Sequence, residues 1–362
     1  MAAADHRQRA QGGSIRTDRP GAVGLAGRSR EPGRRPLGRL AGMLAALLLA
    51  LGSGMPAMAQ TAGAFPSRVV TLVVPFTAGS GSDILARILG PLLAERWGRP
   101  VVVDNRAGAS GNIGADFVAK APPDGHTLLM AINTMTMAAN LYRNLPFDPL
   151  ADFEPVGRLA TGGYMLVAHP GVSATDLRAF LAMVRAAPGR SNYASPGVGT
   201  PHHLAMELFK LRGGFDVVHV PYKGLAGAVT DLLGGQVQVM FASVHSVLPH
   251  VQAGRLRPLA ITGEQRSALV PAVGTFREQG FDTMDSIDSW YAVIAPARTS
   301  TALVARLNSD FAAVIGQPSV REQLKGQGLV VATNSPEAMK ALLRDDLVRW
   351  GRVVTEARIS AE

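Results

Sequence analysis

Residues 69–88 read VVTLVVPFTAGSGSDILARI. A nearly unbroken β-branched run, Val69-Val70-Thr71-Leu72-Val73-Val74, ends at Pro75 and passes through a Gly/Ser loop, Ala78 to Ser82, into an apolar-periodic stretch starting near Asp83. An apolar run without polar alternation predicts a strand covered on both faces, which is the condition of a parallel sheet. The helix after it runs through Leu85-Ala86-Arg87-Ile88-Leu89, with a kink expected at Gly90-Pro91 before Leu92 to Arg96. Working outward, Val101-Val102-Val103 gives a second strand and Asn105 to Gly111 a loop. Ile113 to Val118 gives a helix, Pro122-Pro123-Asp124-Gly125 a turn and Thr127 to Ala131 a third strand. This order, strand, helix, strand, helix, strand, sets the fold class as α/β.

The alternation repeats from Tyr164. Tyr164 to Ala168 reads as a strand, Asp176 to Ala187 as a helix, and Ser191 to Ser195 as a strand entering a Gly-containing loop. His202 to Leu211 is helical, Val217 to Val220 a strand, Ala226 to Leu233 a helix and Val237 to Phe241 a strand. Leu259-Ala260-Ile261 and Trp290 to Ala295 add two more strands, and helical patterns cover Thr301 to Ile315 and Pro336 to Glu356.

The chain of 362 residues has a formal charge of +9 and no cysteine. Residues 1–39 hold nine arginines against three acids, so this leader carries +6 and the remainder +3. The balance leaves little phosphate footprint beyond the leader, and with tryptophans only at 97, 290 and 350 it argues against nucleic-acid binding. The missing cysteines exclude a disulfide framework, a thiolate nucleophile and thiolate metal sites. Arg34, Arg35 and Arg39 precede an apolar run, Gly42 to Gly52, and Ala57-Met58-Ala59 follows. That pattern predicts a signal peptide over residues 1–59, cleaved after Ala59, and export to the periplasm. The apolar run is short for a membrane span, although an N-terminal anchor is the plainer alternative. Arg34-Arg35 leaves the general and twin-arginine export routes both open. The long unpatterned stretch before Arg34 leaves the true start open as well.

In open α/β sheets ligands sit at the carboxyl ends of the strands. Four loops there are rich in small and hydroxyl residues: Thr77 to Asp83, Asn105 to Gly111, Ser195 to Thr200, and Pro221 to Gly224. Helix N-termini offer free N–H groups and a positive dipole end, so such loops suit a carboxylate or phosphate. The plainer reading has Ser82, Asp83 and Thr200 capping helices and the glycines turning the chain. Nucleotide fingerprints fail, since His202 and Ile84 stand where a third small residue is needed. Ser195 resembles a nucleophile elbow only from the serine onward. His202 and His203 point to different sides of a helix start, so one of them at most faces a ligand, and no metal or other cofactor is implied. Lys223 is readable as an anion contact, although a solvated turn lysine is the plainer reading.

At these same loops the sequence resembles the extracytoplasmic receptors of tripartite tricarboxylate transporters, the Bug family. The resemblance rests on Phe65 to Phe76, Gly79 to Asp83 with Ala86-Arg87, Asn105 to Gly108 with Gly111 to Ala115, and Pro123-Asp124-Gly125. It continues through Leu145 to Pro149, Asn192 to Ser195, His203-Leu204, Val220 to Gly224 and Asp231 to Val237, in order along the chain. It implies a type II periplasmic binding protein-like fold, two Rossmann-like lobes with a ligand cleft between them: lobe 1 over 60–163 and 289–362, lobe 2 over 164–288. It further implies a non-enzymatic receptor that passes a small di- or tricarboxylate, or related acid, to membrane permease subunits. Carried onto this chain, Thr77, Ala78, Gly79, Ser80, Ser82 and Asp83 would hold carboxylate oxygens from one lobe. Ser195, Gly197, Gly199, Thr200 and His203 would do so from the other, with Asn133 and Tyr222 flanking. Many relatives carry an aspartate where this chain has Ala242, which implies a ligand without a cationic group. A ligand sensor signalling to a membrane partner, and a serine hydrolase built on Ser195, are the rival readings.

Overall fold

The computed structural model describes residues 65–284 and 287–360. The leader and the expected cleavage after Ala59 lie outside the described residues. The first strand, β1 (Val70–Val74), pairs in parallel with β2 (Val101–Asn105) on one side and β3 (Thr127–Ile132) on the other. Its two faces are buried in different clusters. Val70, Leu72 and Val74 pack with Leu85, Leu89 and Phe311, while Val73 packs with Val118 and Leu129. Two covered faces are the physical reason the run carries no polar alternation.

β3 pairs antiparallel with β9 (Asp288–Pro296), and β9 in turn pairs antiparallel with the long β4 (Phe153–Ala168). β4 is shared. Its first part, Phe153 to Gly163, faces β9 and β10 (Leu329–Val331), whereas Tyr164 to Ala168 faces β7 (Val239–Ser243) and β8 (Arg257–Ile261). Beyond β7 lie β5 (Asn192–Ser195) and β6 (Val218–Pro221), parallel to each other, with β5 also parallel to β7. The sheet therefore reads β2-β1-β3-β9-β4-β7-β5-β6, and the chain returns to its first half through β9.

Gly90-Pro91 does not interrupt the helix. A single helix, α1 (Gly81–Trp97), runs through Pro91, which faces solvent. The carbonyl freed by the missing N–H belongs to Arg87 on the exposed side, where water can satisfy it. Two tryptophan–aspartate bonds fasten the half carrying β1, one between two of its helices and one between β9 and the C-terminal helix. Trp97 Nε1 donates to Asp310 at 2.8 Å, and Trp290 Nε1 to Asp346 at 2.5 Å. The C-terminal helix, Pro336–Glu356, starts against this half through Met339 and Leu343. It ends against the other through Trp350 and Val354, which pack with Tyr164, Leu208 and Phe209. Among the described residues no helix is long and apolar enough to cross a membrane.

Candidate functional site

A cavity of about 520 Å³ opens between the two sheet halves. Four helices bring N-terminal residues to its wall. These are Gly81–Trp97 (Gly81, Ser82), Pro201–Gly213 (Thr200, Pro201, His202), Leu225–Leu233 (Gly224, Leu225) and Val244–Gln252 (its cap Ser243). Each helix start carries unpaired N–H groups and roughly half a positive charge, so the wall is electropositive without a dense cluster of cations. Among the described residues the lining contains no Asp, Glu or Arg, and Lys223 is its one basic side chain besides His202. Three buried groups at this wall have no protein partner: Ser82 Oγ, Thr134 Oγ1 and His202 Nδ1. Unsatisfied buried polar groups are costly, which makes them the natural places for a ligand to bond.

The floor comes from the shared strand β4 and from β9 beside it. The hydroxyl of Tyr164 on β4 pairs closely with Ser289 Oγ on β9, and Ser289 also hydrogen-bonds Tyr291. His202 packs edge-on to Tyr164, with ring centroids 4.9 Å apart, and its Nε2 lies 3.1 Å from Ser243 Oγ. Burial pushes the His202 imidazole down to about 3, with a further push from His245, so it is neutral in the folded protein near pH 7. Above the floor the halves touch. Ser110 Oγ donates to the Val198 carbonyl at 2.7 Å, Tyr142 OH donates to the same carbonyl at 3.4 Å, and Thr77 lies against Gly224. Ala109 and Ser110 hold positive φ of 45° and 54°, the left-handed geometry that delivers the Ser110 hydroxyl across the cleft.

The loop entering α1 is held from outside the cavity. Asp83 accepts from Gly79 N at 2.9 Å, from Arg87 Nε and from Asn105 Nδ2. Burial alone would raise its carboxyl, but these three partners outweigh it and hold the group below the ordinary carboxylate range.

A model of the tripartite tricarboxylate transporter family receptor matches residues 85–359. The chain belongs to this receptor family. It is similar to BugT of Bordetella pertussis, at 35% identity over 88% of this chain and 97% of BugT. A Pseudomonas sp. (strain P51) protein from the tcbD-tcbE intergenic region is 38% identical over 88% of this chain and 95% of its own. Among solved structures, an R. palustris protein with adipate is similar at 35% identity and TM-score 0.78, over 82% of this chain and 99% of that one. MatC from Rhodopseudomonas palustris with bound malate is similar at 31% identity and TM-score 0.75, over 80% and 100%. The receptor thus has the mixed α/β fold of the periplasmic binding proteins, with a curled sheet, and belongs among substrate receptors rather than enzymes.

The residues singled out in the sequence of this tricarboxylate-family receptor divide into two groups. Thr77, Ser82, Gly197, Thr200 and Tyr222 lie on the cavity wall. Ala78, Gly79, Ser80, Asp83, Asn133, Ser195, Gly199, His203 and Ala242 are outside that lining and support it. Ala78 and Gly79 are exposed, and Ser80 caps α1. Asn133 donates to the Asp288 carbonyl at 2.8 Å, while Gly199 N donates to His203 Nδ1 at 3.1 Å. Ala242 is buried in the sheet core, and the next residue, Ser243, is the one on the wall, because successive strand residues face opposite ways. Of the paired histidines His202 is at the cavity. His203 stacks on His219, with centroids 4.1 Å apart, and His219 stacks on Tyr193.

Ser195 is fully buried with its Oγ 2.6 Å from His219 Nε2. It is spent on its own turn, donating to Gly197 O and accepting from Gly197 N. Burial, with a lesser push from His203, drives His219 down to about 3, which leaves it a poor general base. The pair organises a loop. Tyr164, Ser289 and Tyr291 on the floor carried no local signal, since apolar strands bury tyrosine and serine in many folds.

Proposed function

We propose that this protein is a periplasmic receptor that holds a small organic acid in the cavity between its two sheet halves and presents it to the membrane subunits of a tripartite tricarboxylate-type permease. In this reading lobe 1 comprises residues 60–163 and 289–362, lobe 2 residues 164–288, and the leader is cleaved after Ala59 on export. The observation that carries it is the convergence of four helix N-termini on one cavity whose wall, among the described residues, contains no carboxylate. Such a wall accepts an anion through N–H groups and hydroxyls already held in place. The adipate and malate in the R. palustris structures supply the ligand chemistry by similarity.

Calorimetric titration with adipate and malate tests the reading. Ser82→Ala removes a hydroxyl that has no protein partner, so the variant melts like wild type and binds roughly tenfold or more weakly. Thr200→Ala also weakens binding, and because Thr200 Oγ1 donates to Gly197 O at 2.7 Å it loosens the loop as well. Unchanged affinity in both variants contradicts the site. Ser110→Ala removes a bond across the mouth, and stopped-flow measurement should show dissociation faster by about three- to tenfold with association little changed. Equal dissociation rates would mean that the contact does not hold the cleft shut.

A further inference from the structure

The cavity is built for more than a short acyclic acid. At 520 Å³ it has the room of roughly 17 liquid waters, and a diacid of about ten heavy atoms leaves much of that unfilled. Its wall carries five aromatic rings, those of Phe76, Tyr142, Tyr164, Tyr222 and Tyr291, with the neutral imidazole of His202 beside them. The tyrosine hydroxyls are committed to the protein. Tyr222 OH donates to Asp231 at 2.6 Å and Tyr142 OH to the Val198 carbonyl, while Tyr164 and Tyr291 share Ser289. Phe76 rests on Gly111 and Tyr291 on Gly81, positions where an added methyl would collide with the ring. The rings are fixed before any ligand arrives, and with their polar ends tied what they offer the cavity is ring surface. Fixed aromatic faces favour a flat apolar partner, in offset-stacked or edge-to-face contact, at little entropic cost.

We infer that the ligand is an aromatic carboxylate, its carboxylate at the N-terminus of α1 by Ser82 and its ring among the cavity's fixed aromatic side chains. The inference rests on the receptor reading above and narrows its ligand. With a single lysine in the wall, most of the ligand's buried surface meets apolar groups, which suits a ring and penalises a chain bearing charge at several points.

The test titrates the purified mature protein by calorimetry with benzoate, 4-hydroxybenzoate and terephthalate against malate and adipate. The expected result is that the best aromatic acid binds at least tenfold more tightly than either aliphatic diacid. Phe76→Leu keeps the bulk, involves no side-chain hydrogen bond and removes one ring. It should shrink that preference several-fold while the variant melts within a few degrees of wild type. Aliphatic diacids that bind as tightly as the aromatic acids, or more so, overturn the inference and leave the receptor reading standing. Binding of no carboxylate overturns both. A preference unchanged in Phe76→Leu and in Tyr222→Leu shows that the rings do not read the ligand, and overturns the inference as well.

Discussion

Gly81→Val should abolish carboxylate binding, with affinity for adipate or any better acid falling at least about a hundredfold. Gly81 is the first residue of α1 and lies on the cavity wall. A Cβ there would overlap the Tyr291 ring, with two ring carbons at 2.6 Å. Tyr291 is buried at the cavity floor, so its ring can yield only into the space the ligand needs. The backbone at Gly81 is ordinary helix, and the loss would come from the side chain alone. Overpacking of this kind costs about 1–3 kcal/mol in stability, and the melting point should fall accordingly. Adding Tyr291→Ala removes the obstruction, so the double variant should lose less stability than the sum of the two single variants. Wild-type affinity in Gly81→Val would mean that the ligand does not occupy this end of the cavity.

Acid should unfold the protein well before its carboxylates are protonated. Burial lowers His202 to about 3 and His203 to about 4, and it also lowers His219 to about 3 and His245 to about 4, whereas each titrates near 6.5 when unfolded. A base with a depressed folded value contributes stability above its unfolded value and loses it as pH falls toward the folded one. The window therefore opens near pH 6.5 and extends to about 4. His202 and His203, both buried, each forfeit on the order of 3 kcal/mol by pH 4, against a total stability of about 5–15 kcal/mol for a typical domain. Denaturant midpoints should fall steadily from pH 6.5 to 4.5, while the His202 and His203 ring protons should show no titration above pH 5 by NMR. Midpoints constant across that range, or rings titrating near 6.5, contradict the burial argument. The histidine stack also holds the loop before Thr200, so ligand affinity should decline together with stability.

Much of the architecture was readable because it depends on local pattern. The run at 69–74, the helix starting at Asp176, and the Gly and Pro turns each depend on residues within a few positions of themselves. The first eleven residues of β4 escaped reading because Pro155, Gly157, Gly162 and Gly163 break any strand pattern, and its register shifts twice against β9. Pairing with β9 and β10 holds them extended, a contact no window of sequence contains. Helix Pro318–Gly326 and strand β10 were passed over for the same reason: their apolar residues, Val320, Leu324 and Leu329, are few and gain meaning only against the first sheet half.

The site followed the same division. Loop composition located Thr77, Ser82, Gly197 and Thr200, because helix starts need such residues wherever they occur. It could not separate wall from support: Asp83 and Ser195 have the same chemistry as their neighbours and face inward to brace the loops. The floor required the two halves to meet, and that meeting brings together residues 164, 202, 243, 289 and 291 from four distant stretches.

β4 has a consequence for how such a receptor signals that it is loaded. Tyr164 stands where the strand changes partners, from β9 and β10 on one side to β7 and β8 on the other. Any rotation of one half against the other would have to twist this strand, which lends Tyr164 to the cavity floor. The compartment that weighs the cargo is thus also the torsion bar of the molecule. A permease that read the angle between the two halves would then be reading a strand that itself lines the site.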